Sequence, residues 1–330
     1  MFLAKLFLAV LPLSILFSVA TTCAAEVAVD AVLDDLHQPC GVVVRPGGTA
    51  DRYEVFIADS GAGRVVRWSS AAPKRAIDVV TGFTSQPATD PFHQRGPLAL
   101  VFLDPGLLVV AAAGGSDGRI LRAYELPDGD KSLSANDTGE ATPGGREASA
   151  AACAAITRSR VNEFVPDMLL LVIRETDNRS RLMKARVQAG VVGVPKSFGP
   201  ADSAHEPRTA TTSPSGRFVA GDADGRLVFY NPIDGEVELA MPTGLKQLTG
   251  LAYSPTSGNL FAADFAGGVY RIDDASAPGH PACRAVKIAD VSKPTALAFA
   301  PDGALYVVTF GDGDGDGDAS GLLEVITGEL

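Results

Sequence analysis

The chain has 330 residues, 46% of them hydrophobic and 20% charged, which is enough apolar material for a large core and too little bias for a disordered or fibrous protein. A formal net charge of −11 argues against nucleic acid as a partner, because phosphate binding rests on clustered Lys and Arg. With 35 glycines and 22 prolines the chain must turn often.

Residues 1–25 read as a secretory signal peptide. Lys5 supplies the positive start, Leu6 to Ala20 is apolar, and Cys23-Ala24-Ala25 offers small residues for cleavage. The apolar run falls short of the ~20 residues that a membrane-spanning helix needs, and no second candidate follows. The expectation is a secreted, extracytoplasmic protein with no transmembrane span in its mature chain, which then occupies 26–330. Glu26 to Leu36 begins with the alternation of a strand.

A strand, turn, strand unit then recurs along the chain. It appears as GVVVRPGGTADRYEVFIADSGAGRVVRW at Gly41 to Trp68 and as PLALVFLDPGLLVVAAAGGSDGRILRAY at Pro97 to Tyr124. Asp128 to Ser159, rich in Gly, Ala, Ser, Thr and Asp, reads as an exposed insertion or a frayed outer strand, with room for a short helix over Glu147 to Ile156. A degraded copy spans Pro166 to Val187, and further copies cover Thr211 to Tyr230 and Gly250 to Asp273. The sixth, Lys293 to Leu330, is the clearest: LALA-type alternation meets a turn at Pro301-Asp302-Gly303, then ALYVVTF, an acidic run and LLEVI.

Complete units carry four strands, whereas the last ends after three. A ring in which the N-terminal strand pairs beside LLEVI supplies the missing strand and hides both sheet edges. The predicted fold is therefore all-β, a six-bladed ring of four-stranded antiparallel blades with the last blade closed by the N-terminal strand. In such a ring Cys40, before the first unit, and Cys283, before the last, are the pair that a single disulfide would join; the alternative is three buried thiols, Cys153 included.

With "LAFAPDGALYVVTFG" and "VFIADSGAGRVVRW" in these repeats, the chain from Val27 to Leu330 resembles six-bladed β-propellers of the NHL and SMP-30/gluconolactonase-like superfamily. Lactonases of that kind hold a divalent metal with a Glu, an Asn and an Asp near the starts of innermost strands. The matching places here read Gln38-Pro39-Cys40, Thr249-Gly250-Leu251-Ala252 and Thr295-Ala296-Leu297-Ala298, and hydroxyls are poor ligands for a hard cation. Quinone-dependent sugar dehydrogenases share the ring and use a His base with Arg contacts to the cofactor. Here His93 and Arg95, before the second inner strand, are the catalytic candidates, weighed against a solvated loop His beside an Arg.

Asp59, Asp222 and Asp264 each end a second strand. Recurrence at one position fits a carboxylate closing a turn through backbone N–H groups. The functional alternative is a ligand-binding rim. Asp312, Asp314, Asp316 and Asp318 alternate with glycine and offer calcium a flexible oxygen shell, as in the first half of an EF-hand loop, although Leu323 stands where the twelfth-position glutamate would. The alternative there is a solvated acidic turn. The resulting expectation is a monomeric propeller binding a protein or small-molecule ligand through one rim, with calcium as the candidate cofactor. The competing reading is an enzyme on the same ring, a lactone hydrolase or a quinone-dependent sugar dehydrogenase with non-standard site residues.

Overall fold

The computed structural model describes residues 27–86, 88–113, 118–139, 150–159, 167–177, 179–200, 205–275, 282–311 and 320–330. The signal-peptide reading and Asp312, Asp314, Asp316 and Asp318 of the acidic run lie outside them. Six antiparallel sheets form the six blades of a β-propeller. Their innermost strands are Gly41–Val44, Pro97–Asp104, Ala150–Ser159, Pro207–Thr212, Leu248–Tyr253 and Pro294–Phe299. Each inner strand contacts the next in a closed cycle around the axis.

The ring closes as expected. Ala28–His37 pairs antiparallel with Ser320–Thr327, Ala28 facing Thr327 and His37 facing Ser320, so the first strand is the outer strand of the last blade. Leu36 is only 1% exposed and packs with Leu323, Val308, Val55 and Ile57 in the slab between the sixth and first blades. Filling such a slab site stabilises by about 2–5 kcal/mol for a leucine relative to alanine.

The core consists of slabs of this kind rather than one central mass. Strand alternation presents one face of each sheet to each neighbouring blade. Between the first two blades Phe56, Val65 and Val80 meet Leu100, Leu108 and Val110, with Phe56 and Phe102 edge-on at 5.0 Å. Near the axis the sheets crowd together. A Cβ on Gly41 would sit 2.7 Å from the carbonyl oxygen of Leu98, and one on Gly250 3.0 Å from Cα of Ala296, so both places are restricted to glycine.

One expectation about residues 128–159 is corrected and another is resolved in part. Within the described part of Glu147 to Ile156 the chain is strand and not helix: Ala150–Ser159 is the inner strand of the third blade, with Cys153 opposite Ile173 and Ile156 opposite Leu171. Its alanines suit a crowded inner position, and Cys153 and Ile156 bury themselves in the slab shared with the second blade. Of the two readings of the earlier part, an exposed insertion or a frayed outer strand, the described residues contain a short outer strand. Leu133–Ser134 pairs in parallel with the outer strand Ala76–Thr81 of the first blade, and Ala135 donates its N–H to Thr81 at 2.7 Å while its carbonyl accepts from Tyr124 Oη at 2.8 Å. This segment therefore stitches two blades together. Among the described residues the second blade's own sheet has three strands, Pro97–Asp104, Leu107–Ala112 and Leu121–Glu125.

Cys40, Cys153 and Cys283 are free thiols, so the Cys40–Cys283 bridge does not form. Cys40 precedes an inner strand and packs on Leu98, Ala113 and Ala152, whereas Cys283 precedes the outer strand Arg284–Ala289 and packs in the slab of the fourth and fifth blades. The two ends of a blade's radius separate them.

Candidate functional site

Antiparallel blades place the ends of their second strands and the starts of their inner strands on the same rim. At the ends of the second strands stand Asp59, Asp222 and Asp264, all buried. Asp59 accepts the N–H of His37 at 2.5 Å and Arg64 Nε at 2.8 Å. Burial pushes its carboxyl above the usual range, against the pull of Arg64 and the His37 N–H. Asp222 accepts the N–H groups of Asp224 and Arg226 at 3.0 and 2.8 Å, and His205 Nδ1 lies 3.1 Å from its other oxygen. Asp264 accepts from Gln247 at 3.0 Å and Ala266 at 3.1 Å. These carboxylates are occupied inside their turns. The residues that face the axis are others.

At the starts of the inner strands Thr295 Oγ1 donates to the carbonyl of Pro39 at 2.7 Å and Thr249 Oγ1 to that of Pro294 at 2.6 Å. Gln38 is tied to Ala88 through both halves of its amide, at 2.6 and 3.2 Å. Side chains so engaged do not fit the metal centre of the lactonases, whose hard cation needs convergent carboxylate or amide oxygens. Among the described residues no three or more His, Cys, Asp or Glu side chains are grouped to hold a metal ion. Asp312, Asp314, Asp316 and Asp318 lie outside them.

A cationic cluster occupies the same mouth between the second, third and fourth blades. Arg174, near the end of Met168–Glu175, is 8% exposed. Its Nη2 donates to the carbonyl of Gln94 at 3.3 Å, and its Nη1 has no hydrogen-bond partner. Burial lowers its pKa; the neighbouring Arg95 and Arg208 push the same way and Asp90 opposes them. Arg208, in the inner strand of the fourth blade, lies over the ring of Phe92 at 4.2 Å. Together with His93, Ala154, Ser180 and Pro207 these side chains line a cavity of about 80 Å³.

The loop carrying His93 and Arg95 is locally built. Asp90 accepts the N–H groups of Phe92 and His93 at 2.9 and 3.1 Å and holds His93 Nδ1 at 2.9 Å, an Asx turn that also orients the imidazole. His93 thus lines the cavity, while Arg95 adds positive charge near Arg174. Cys40 is close enough to feel Arg174 and Asp90, but burial pushes its thiol up to about 12, so it is no nucleophile at neutral pH.

Arg174 is the residue that sequence reasoning missed. Its signal was a charge in a slot that is small elsewhere: the positions before the turn-closing carboxylates are Ala58, Gly221 and Ala263 in the first, fourth and fifth blades, but Arg174 before Glu175 in the third.

No protein-family model matches the sequence, and no curated protein matches it. Solved structures share the fold. A glucose dehydrogenase superposes with a TM-score of 0.59 at 14% identity, covering 92% of this chain and 100% of that one. A structure from the gluconolactonase family gives 0.59 at 14% identity over 93% of both chains, and the WD40 propeller domain of Doa1 gives 0.52 at 12% identity over 92% of this chain and 98% of that one. At these identities the likeness is one of fold, and it does not single out NHL repeats.

Proposed function

We propose that this propeller binds a small molecule at the axial mouth between its second, third and fourth blades. The observation that carries the reading is Arg174, a buried guanidinium whose Nη1 is left without a partner beside an open cavity. An unsatisfied buried donor costs about 1–3 kcal/mol, and more when charged, so its natural complement is a group brought in by a ligand.

A second reading is favoured by His93. Held by Asp90 at 2.9 Å and facing the same cavity, its imidazole is placed as a general base would be. That arrangement, on a ring similar to glucose dehydrogenase and to a gluconolactonase-family protein, supports an enzyme acting on a sugar or sugar lactone. Secretion and calcium association through Asp312 to Asp318 belong to the same proposal, as properties of a rim-binding extracytoplasmic protein. Calorimetric calcium titration, with those aspartates changed to Asn in a variant, tests the latter.

The test of the site is a thermal-shift screen of sugars, sugar lactones and small organic acids on the wild type, Arg174→Gln and His93→Ala, followed by dye-linked oxidation and lactone-hydrolysis assays of the hits. A stabilising ligand whose effect disappears in Arg174→Gln supports the reading. Turnover lost in His93→Ala with binding retained selects the enzyme, and a ligand indifferent to both substitutions places the function elsewhere.

A further inference from the structure

We infer that the ligand of this mouth carries a single carboxylate, received by Arg174, on an otherwise neutral, polar body. The inference rests on the proposed binding function and names the chemistry of its ligand.

The argument begins with hydrogen-bond capacity. A guanidinium has five N–H donors in a rigid plane, matched to the two oxygens of a carboxylate. Arg174 uses Nη2 on the Gln94 carbonyl, which leaves both Nη1 hydrogens and the second Nη2 hydrogen for an incoming group. Arg208 cannot swing freely, because its guanidinium lies on the Phe92 ring. It contributes charge from that position on the cavity wall.

Charge then narrows the class. Two guanidinium groups, Arg174 and Arg208, line the cavity with no carboxylate among its lining residues, and the nearby Asp90 has its oxygens already engaged by the loop and by His93. The surplus is positive, so an anion is favoured, but Asp90 in the same field disfavours a second negative charge on the ligand. The cavity of about 80 Å³ holds the equivalent of several waters, room for a headgroup and little more.

The rest of the ligand has a place to go. Ser180 and Pro207 also line a neighbouring cavity of about 210 Å³, whose other walls set Glu175 and Glu206 beside Arg179 and Arg181, with Glu175 paired to Arg181 at 2.7 Å. Charges of both signs balance there, so the wall favours no further net charge and offers hydrogen-bond donors and acceptors to hydroxyls or amides. One end of the paired cavities suits an anion and the other a neutral polar body.

The experiment compares probes of equal shape and different charge at constant ionic strength: acetate with acetamide, lactate with lactamide, and inorganic phosphate as the dianion. Binding to the full chain is followed by ligand-observed NMR, in the wild type, Arg174→Gln, Arg174→Lys and Glu206→Gln. Each carboxylate is expected to bind at least ~10-fold more tightly than its amide, a preference worth about 1.4 kcal/mol. Arg174→Gln should abolish that preference and Arg174→Lys, a cation without the planar fork, should keep only part of it. Glu206→Gln should leave acetate unchanged. Amides binding as well as acids, phosphate binding best, or acids binding equally to Arg174→Gln would each overturn the carboxylate assignment. If neutral probes bind and still depend on Arg174, the mouth remains the binding site with a different ligand class. If nothing binds and no variant differs, both the assignment and the proposed site fail.

Discussion

Thr295, in the inner strand of the sixth blade, donates its hydroxyl to the carbonyl of Pro39, before the inner strand of the first, across a sequence separation of 256. The same latch recurs from Thr249 to Pro294 and from Ser60 to Pro97 at 2.5 Å. Each latch satisfies a proline carbonyl at the rim with a hydroxyl from the preceding blade. Thr295→Val keeps the shape and removes the donor, so it is expected to destabilise by about 1–2 kcal/mol, because the Pro39 carbonyl is left buried and unpaired. Urea denaturation should show a lower midpoint with an unchanged slope. An unchanged midpoint would mean that the latch contributes nothing to closure.

Glu324, in the strand that receives the N-terminal strand, has a carboxylate oxygen buried without a partner, and burial raises its pKa above the ordinary 4.5. A raised folded-state value means that the native state binds the proton more tightly. The penalty is absent below the unfolded value and grows as pH rises through the folded one. Glu324→Gln is therefore expected to be more stable than the wild type at pH 8, by about 1 kcal/mol, with the difference vanishing towards pH 4. Melting temperatures across that range check it; a constant difference would assign the effect to packing instead of ionisation.

Arg174 should trade stability for binding. Arg174→Met removes a buried cation and fills much of the same volume, so the ligand-free variant is expected to gain on the order of 1 kcal/mol while losing the ligand response. Chemical denaturation of the two ligand-free proteins decides. A variant less stable than the wild type would make Arg174 a structural strut through its bond to Gln94.

The three thiols should differ in reactivity. Burial pushes the Cys40 thiol up to about 12, so it stays protonated at pH 8 although the residue, like Cys283, is partly exposed, and Cys153 is fully buried. Burial also raises Cys283, but that residue is partly exposed at an outer strand. Alkylation of the native protein followed by mass spectrometry is expected to mark Cys283 first, with Cys40 and Cys153 marked only on unfolding. Rapid labelling of Cys40 would show that the axial mouth opens to solvent further than the packing of Cys40 allows.

The architecture was legible because its cause is repetitive. Alternation in segments such as Leu297 to Phe299, turns such as Pro301-Asp302-Gly303, and a missing strand in the last unit together require a closed ring. Ala150–Ser159 was not legible, since its alanines are selected by crowding at the axis and carry little strand propensity of their own. Leu133–Ser134 was hidden for a related reason: its place is set by the neighbouring blade and not by its own period. At the candidate site, the loop with His93 and Arg95 stood out through residue type alone. Arg174 did not, because its meaning depends on which strands surround it, and only the aligned register of the blades exposes it as a charge in a slot of Ala58, Gly221 and Ala263.

Pairing Ala28–His37 with Ser320–Thr327 has a consequence for biogenesis. Of the propeller's strands the one synthesised first is the last to find its partner, and while five blades form behind it, it remains an unpaired edge able to capture other extended chains. The alternate charges of Asp30, Asp34 and Asp35 along that strand act as gatekeepers during the wait. A circular permutant opened in the exposed turn at Asn231 to Gly235, with the old ends joined, would make the closing pair a local hairpin and should shorten the interval in which the nascent chain can aggregate.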